Sequence, residues 1–243
     1  MKSIIICEGS TDSVLLQYFL RKTYDWQDTK NRTPLSSEFK TFRELEKDGR
    51  ILCIGGSGGV GKIKEKLDYI LELNSLTAND EEYGKIIILT DRDEVDTEAD
   101  FCTEIKHILS ERSIQTQQEI KNDEWVFCKM KNGHGKEIAV EFLLLVVPFE
   151  QTGAMETFLL NAVEGEDEYD KEIINRGNAF VDSVDPEKRY LTKRRYITKA
   201  KFDVYFSIRT AAEQFVERQN ILKDIPWDQY LLVQETFKKF ADL

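Results

Sequence analysis

Three short apolar runs constrain this chain most: SIIIC at 3–7, RILCI at 50–54 and KIIILT at 85–90. Each breaks off abruptly, at Glu8-Gly9, at Gly55-Gly56 and at Asp91. Continuous rather than alternating hydrophobicity means that both faces of a strand are covered, as inside a parallel sheet. Helical stretches lie between the runs. SVLLQYFLRK carries apolar residues at Val14, Leu15, Leu16, Tyr18, Phe19 and Leu20, after a capping residue among Ser10, Thr11 and Asp12. Further helices are expected at about 62–73 and 98–111, and further strands at 124–129 and 138–147, the last stopped by Pro148. Such alternation predicts an α/β fold, a parallel sheet flanked by helices through right-handed crossovers. Residues 24–48 are polar with weak periodicity and read as an irregular or partly helical insertion.

Beyond residue 150 the pattern turns helical. Helices are expected at 156–163 and 171–181, separated by an exposed acidic stretch at 164–170. An amphipathic helix follows from 199, with Phe202, Tyr205, Phe206, Ile208, Ala211, Ala212 and Phe215 on its apolar face. The expected organisation is an α/β core over 1–150 with a mostly helical elaboration, 151–243, packed on it.

Composition excludes several classes. Of the 243 residues 41% are hydrophobic and 33% charged, which suits a well-solvated globular protein rather than a disordered one. No apolar run reaches the 18 or so residues of a membrane span, so no membrane association is expected. The N-terminus MKSIIICEGS has one lysine and no small-residue cleavage site, which together point to the cytoplasm. Cys7, Cys53, Cys102 and Cys128 are scattered without CxxC spacing and read as reduced thiols. A net charge of -11 argues against coating nucleic acid by bulk electrostatics. The charge is unevenly spread: residues 1–185 hold 22 basic and 37 acidic side chains, whereas 186–243 hold 12 and 8. Lys188, Arg189, Lys193, Arg194, Arg195, Lys199 and Lys201 fall in one run, which reads equally as a solvated face or a phosphate-binding one.

Ligands of open parallel sheets gather at the carboxyl ends of strands. Two strand ends here carry carboxylates: Glu8 with Asp12 one helical turn later, and Asp91 with Asp93. If the strands are neighbours, four like charges share one small volume and call for cations. Such hard oxygen ligands suit magnesium or manganese. The D-x-D triplet alone is weak, since 19 aspartates generate about one or two by chance. Its placement at a strand mouth strengthens it.

The segments IIICEGSTD at 4–12 and IIILTDRD at 86–93 resemble the two signatures of the Toprim domain, shared by primases, topoisomerases, recombination mediators and the OLD (overcoming lysogenisation defect) nucleases. Glu8, Gly9, Asp91 and Asp93 match position for position, and Asp12 matches an acidic residue of the OLD-type nucleases. VVPFEQTGAMETFL at 146–159 resembles a segment of small stand-alone Toprim-like bacterial proteins of uncharacterised function. The resemblance, which covers about residues 1–130 at its core, implies a Toprim-like Rossmannoid sheet. It implies Glu156 as a fifth metal ligand, although a surface glutamate favoured by a helix dipole explains that residue as well. It also implies a catalytic lysine, for which Lys199 is the first candidate and Lys193 and Lys201 the next. Glu8, Asp12 and Glu156 would hold one magnesium or manganese ion and Asp91 and Asp93 a second, about 4 Å away, for in-line phosphodiester hydrolysis. The lysine would neutralise charge on the scissile phosphate.

Other signals count for less. GSGGVGK at 56–62 has phosphate-loop spacing, but Ile63 stands where a magnesium-binding Ser or Thr is needed, so no ATP is expected. Gly9, Gly58, Lys62, Lys193, Arg194, Arg195 and Lys201 remain candidates to meet a substrate phosphate, the glycines through their backbone N–H groups. His107 and His134 lack ligand-spaced partners. Tyr190 and Tyr196, interleaved with the basic run that includes Arg194, Arg195 and Lys201, could stack on bases or act as topoisomerase-like nucleophiles, but are expected rather to pack that segment against the body. A topoisomerase or primase is not expected, because 243 residues leave no room for the additional domains. Two readings remain: a metal-dependent Toprim nuclease acting on DNA or RNA, and a non-catalytic nucleic-acid-binding, nucleotide-binding or regulatory module working with a partner such as a separate ATPase. Monomer and homodimer are both left open.

Overall fold

The structure is a computed structural model that describes residues 2–29, 33–77, 81–212 and 218–243. The chain opens with β1 (Lys2–Cys7) and turns through Glu8-Gly9 into α1 (Ser10–Tyr24). A two-residue β2 (Gln27–Asp28) and β3 (Thr41–Lys47) lead to β4 (Arg50–Gly56), and α2 (Ile63–Leu76) follows a glycine loop. Next come β5 (Tyr83–Asp91), α3 (Thr97–Glu111), β6 (Gln115–Thr116), β7 (Trp125–Lys131) and β8 (Glu137–Val147). The remainder is helical: α4 (Met155–Glu166), α5 (Glu168–Val184), α6 (Arg194–Arg209), α7 (Arg218–Asp224) and α8 (Leu231–Phe237).

The strands form one sheet in the order β2-β3-β4-β1-β5-β8-β7-β6. The four central strands run parallel, with Ile5 beside Ile54 and Ile87. These are the continuous apolar runs, and their alternate residues feed two cores. Ile5, Ile54, Ile87 and Leu143 face α1 and the C-terminal helices, while Ile4, Cys53, Ile86 and Phe142 face α2 and α3. The elaboration beyond residue 150 therefore supplies about half of the core on that face: Phe158, Phe202, Phe206 and Phe237 join the cluster that contains Ile5. Burying each such ring is worth about 1.5–3 kcal/mol.

The parallel centre bears out the expected sheet, and the outer strands, whose direction the sequence leaves open, run antiparallel. β3 lies inside the segment expected to be irregular and pairs along its whole length with β4. The connection is Asp48-Gly49, both with positive φ (50° and 73°), the left-handed pair of a tight hairpin turn. That dipeptide is the sequence signal for the hairpin. β7 forms a second hairpin with β8, burying Val126, Cys128 and Met130 while Phe127, Lys129 and Lys131 face outward. One covered face produces alternation, not a continuous run.

The helices also differ from expectation at their ends. α5 begins three residues earlier than 171, with the Asp167 side chain accepting the Tyr169 N–H at 2.7 Å and Glu168 and Asp170 in the first turn. Acidic residues favour a helix N-terminus, so the acidic stretch starts a helix rather than a loop. α6 begins at Arg194 and takes in much of the basic run. Phe202, Tyr205 and Phe206 are buried as expected, Ile208 is exposed, and Phe215 lies outside the described residues. The four cysteines are free thiols, and no helix among the described residues is long and apolar enough to cross a membrane.

Candidate functional site

The parallel strands stand in the order second, first, third, fourth along the chain, with α1 and α2 on opposite faces. The winding direction therefore reverses between β1 and β5, which opens a crevice at their carboxyl ends. Glu8 leaves β1 there, its N–H bonded to the Leu89 carbonyl at 3.1 Å, and Asp91 ends β5 there. The segment after β8 is drawn to the same edge. Arg92 N–H donates to the Val147 carbonyl at 2.7 Å, and Gly153 N–H to the Arg92 carbonyl at 2.8 Å. Gly153 permits this approach, since a Cβ would lie 2.8 Å from the Thr157 side chain. Glu156, in the first turn of α4, is thereby carried to the crevice. One cavity of about 460 Å³ is lined by Glu8, Asp12, Asp91, Asp93 and Glu156.

The carboxylates are crowded and mostly buried. Glu8 Oε2 accepts the Thr90 hydroxyl at 3.1 Å and lies 3.5 Å from the Asp91 N–H. Burial pushes the Glu8 carboxyl up; the Thr90 bond opposes this, and Asp93 and Glu156 add to it. Asp12, 4% exposed, accepts the Gly9 N–H at 2.8 Å. Burial drives it up to about 7, against that hydrogen bond and with the help of the Glu8 and Glu156 charges. Asp91 is held well above the usual carboxylate range by burial first, then by Asp12, Glu8, Glu156 and Asp93. Its Oδ1 accepts the Met155 N–H at 2.9 Å.

Each carboxylate has thus found a local partner. Arg194 bonds both the carbonyl and the carboxylate of Asp93 and lies 3.8 Å from Glu94. Lys199 Nζ stands 4.0 Å from Glu156 Oε1. Among the described residues no three acidic, histidine or cysteine side chains are grouped as ligands of one metal ion. The donor chemistry nevertheless fits a hard divalent cation, because every donor is a carboxylate oxygen and burial, reinforced by the neighbouring negative charges, raises three of the carboxyl pKa values.

The candidate cations divide sharply. Arg194, Arg195 and Lys199 line the cavity, and so does Lys40, which the sequence reading missed. Lys40 enters because its N–H bonds the Gly56 carbonyl at 3.0 Å at the start of β3, a strand read as irregular. Lys201 instead pairs with Asp182 on α5 at 2.9 Å. Lys193 caps α6, its ammonium 6.0 Å from the Tyr196 ring. Lys62 is exposed at the start of α2, away from the cavity lining.

Gly58 lines the cavity, but its N–H and that of Gly59 both donate to the Glu8 carbonyl at 3.0 Å, joined by the Ser57 hydroxyl at 3.1 Å. The Gly9 N–H is taken by Asp12. The glycine loop therefore fixes the Glu8 turn, and the backbone donors expected to meet a phosphate are already committed. Tyr190 and Tyr196 do not pack the basic run down either: they are 70% and 38% exposed. His107 sits 3.4 Å from Glu111 on α3, and His134 lies in the β7–β8 turn. A larger groove, about 1060 Å³, lies beside β6 and β7, but its Arg112 and Lys129 are paired with Asp68 and Glu137 at 2.5 and 2.7 Å.

Fold and site together define an α/β protein with a cation-rimmed carboxylate cavity at the switch point of its sheet. The chain belongs to the family described as protein of unknown function DUF3226, whose model matches residues 2–238. No curated protein matches it. Among solved structures, a hypothetical protein, PH0156, from Pyrococcus horikoshii OT3 is similar at 16% identity, with a TM-score of 0.57, over 98% of this chain and 94% of that one. That likeness shows the fold alone. A putative glyoxalase family protein from Bacillus anthracis aligns at 9% identity over 59% of this chain and 94% of that one, and its TM-score of 0.20 carries no argument.

Proposed function

We propose that this protein is a Toprim-like, divalent-metal-dependent nuclease that hydrolyses nucleic-acid phosphodiester bonds. The observation that carries the reading is the meeting of Glu8, Asp12, Asp91, Asp93 and Glu156 around one cavity with Arg195 and Lys199 on its rim. Buried carboxylates whose raised pKa values are pushed further by one another's charge favour a proton or a divalent cation among them. Glu8, Asp12 and Glu156 would hold one magnesium or manganese ion, and Asp91 and Asp93 would hold the other. Bound there, the ions would supply an activated water and neutralise charge on the leaving oxygen. Lys199, beside Glu156, offsets the charge that develops on the scissile phosphate. Arg194, Arg195 and Lys40 draw the substrate phosphate to the cavity. The glycine loop around the Glu8 carbonyl keeps that carboxylate oriented. No ATP takes part, and the buried thiols of Cys7, Cys53 and Cys128 suit the reducing cytoplasm.

A second reading, a non-catalytic nucleic-acid-binding, nucleotide-binding or regulatory module serving a separate ATPase partner, has one observation in its favour. Asp12, Asp91 and Asp93 are each already engaged by a protein donor. Cleavage assays on single- and double-stranded DNA and RNA, in magnesium, in manganese and in EDTA, separate the two. The nuclease reading expects metal-dependent cleavage that Glu8→Gln and Asp91→Asn abolish. Binding without cleavage in either metal would leave the module reading.

A further inference from the structure

We infer that the strand delivered to this cavity is single-stranded nucleic acid, its bases stacked on Tyr190 and Tyr196. The inference rests on the reading of the cavity as one that takes a nucleic-acid phosphate, and it names the form of the substrate. Tyr190 is presented by an ordered turn: the Asp185 carboxylate accepts the N–H of Arg189 at 3.0 Å and those of Tyr190 and Leu191 at 2.8 Å. An aromatic ring held out to water by three hydrogen bonds has no role in the core.

Both rings carry cations. The Arg189 guanidinium lies 5.3 Å from the Tyr190 centroid, and Arg195 lies 5.0 Å from that of Tyr196 and donates to its hydroxyl at 3.2 Å. Arg195 also lines the carboxylate cavity, so a base on Tyr196 sits one residue from a cation that faces the site. Tyr190 is six residues before Tyr196, at most about 20 Å of fully extended chain, so both rings stand on one short stretch of the basic run. Aromatic rings interleaved with cations bind a single strand by stacking and phosphate contact together. A duplex hides its base faces between neighbouring pairs and must be unstacked before it can use them. An uncharged partner protein is disfavoured by the density of basic residues from Lys188 to Lys201.

The test is fluorescence anisotropy of the full chain with one labelled sequence as single-stranded DNA, single-stranded RNA and duplex DNA, in EDTA and in magnesium, beside cleavage assays. Single strands should bind about tenfold or more tighter than duplex. The Tyr190→Leu, Tyr196→Leu pair should lose about ten- to a hundredfold of single-strand affinity and leave duplex affinity unchanged, while the corresponding Phe pair stays within about twofold of the parent. Because both rings are exposed, circular dichroism and Tm should not move. Duplex binding as tight as single-strand binding, or full single-strand affinity in the Leu pair, overturns the inference. If strand preference is absent while metal-dependent cleavage persists, stacking alone is refuted and the reading of the cavity stands. If no nucleic acid is bound or cleaved, the reading of the cavity is refuted and the stacking inference with it.

Discussion

The carboxylate of Asp91 accepts the Met155 backbone N–H at 2.9 Å, so the end of β5 anchors the first turn of α4. The same bond brings Glu156 to the edge where Glu8 emerges. One aspartate thus joins two segments that lie far apart in sequence, while burial and four neighbouring carboxylates penalise its charge.

Replacing that charge without the shape should therefore stabilise the metal-free chain. Asp91→Asn keeps an oxygen for the Met155 N–H and removes one of the crowded negative charges. We expect its Tm in EDTA at pH 8 to rise by roughly 2–4 °C, the equivalent of about 1 kcal/mol. Metal-dependent cleavage should fall by about a hundredfold or more. A lower Tm would show that the charge is needed to hold α4.

Stability should fall as pH rises toward neutrality. Glu8, Asp12 and Asp91 all have folded pKa values raised above their unfolded ones, Asp12 to about 7. Such groups contribute stability that is complete below the unfolded pKa, near 4, and is lost as pH climbs through the folded value. Asp68, lowered by Arg112, has the opposite sign and matters only in acid. Thermal melts in EDTA should show Tm several degrees lower at pH 8 than at pH 5, with a flatter profile for Asp12→Asn. A Tm that climbs over this interval would contradict the burial of these carboxyls.

Magnesium or manganese should reverse that loss. A cation that binds only the folded chain stabilises it by mass action, about 2.7 kcal/mol at a hundredfold excess over Kd. Protons compete for the same oxygens, so the rise in Tm should be larger at pH 8 than at pH 5. It should disappear in Glu8→Gln. Differential scanning fluorimetry across a metal titration measures this directly.

Gly56→Ala should damage the site from beneath. A Cβ at Gly56 would meet the Thr41 hydroxyl and lie 2.9 Å from the Gly9 carbonyl, both backed by the sheet. Overpacking of this kind costs about 1–3 kcal/mol. Because Gly9 moves with it, cleavage should drop further than a control of equal Tm. Gly59→Ala, where a Cβ meets nothing within 4 Å but φ is 136°, serves as the backbone-strain comparison.

Arg194→Ala should separate binding from stability. The Arg194–Asp93 pair is about half exposed on both sides, and such pairs contribute about 0–1 kcal/mol. Tm should move by less than about 3 °C. Nucleic-acid affinity should fall several-fold, more steeply at low salt, because one phosphate-drawing cation is gone. Lys40→Ala, another cation lining the cavity, should lower affinity in the same way.

Much of this was readable in one dimension. The runs at 3–7, 50–54 and 85–90 announce a buried parallel centre because hydrophobicity on both strand faces leaves no alternation. Glu8, Asp12, Asp91 and Asp93 stand out because strand ends are where chain and solvent meet. The antiparallel margins were hidden, since β3 is charged and half-exposed and its Asp48-Gly49 turn carries the only plain sign of it. Lys40 was invisible for the same reason. The sequence favours packing for Tyr190 and Tyr196 over stacking, and only their neighbours expose them, because exposure is a property of neighbours, not of spacing.

By itself, then, the sequence determined the central strands, the covering helices and the carboxylates that end two of those strands, all consequences of short-range hydrophobic patterning. Only the tertiary structure decided that β1 and β5 are neighbours, that α4 delivers Glu156 to the same cavity, and that Arg194, Arg195 and Lys199 alone of the basic run line it while Tyr190 and Tyr196 stay exposed. It also decided that the glycine loop holds Glu8 in place of a phosphate. Those outcomes depend on where crossovers land and which backbone N–H groups remain unspent, quantities that exist only once the sheet has closed around them.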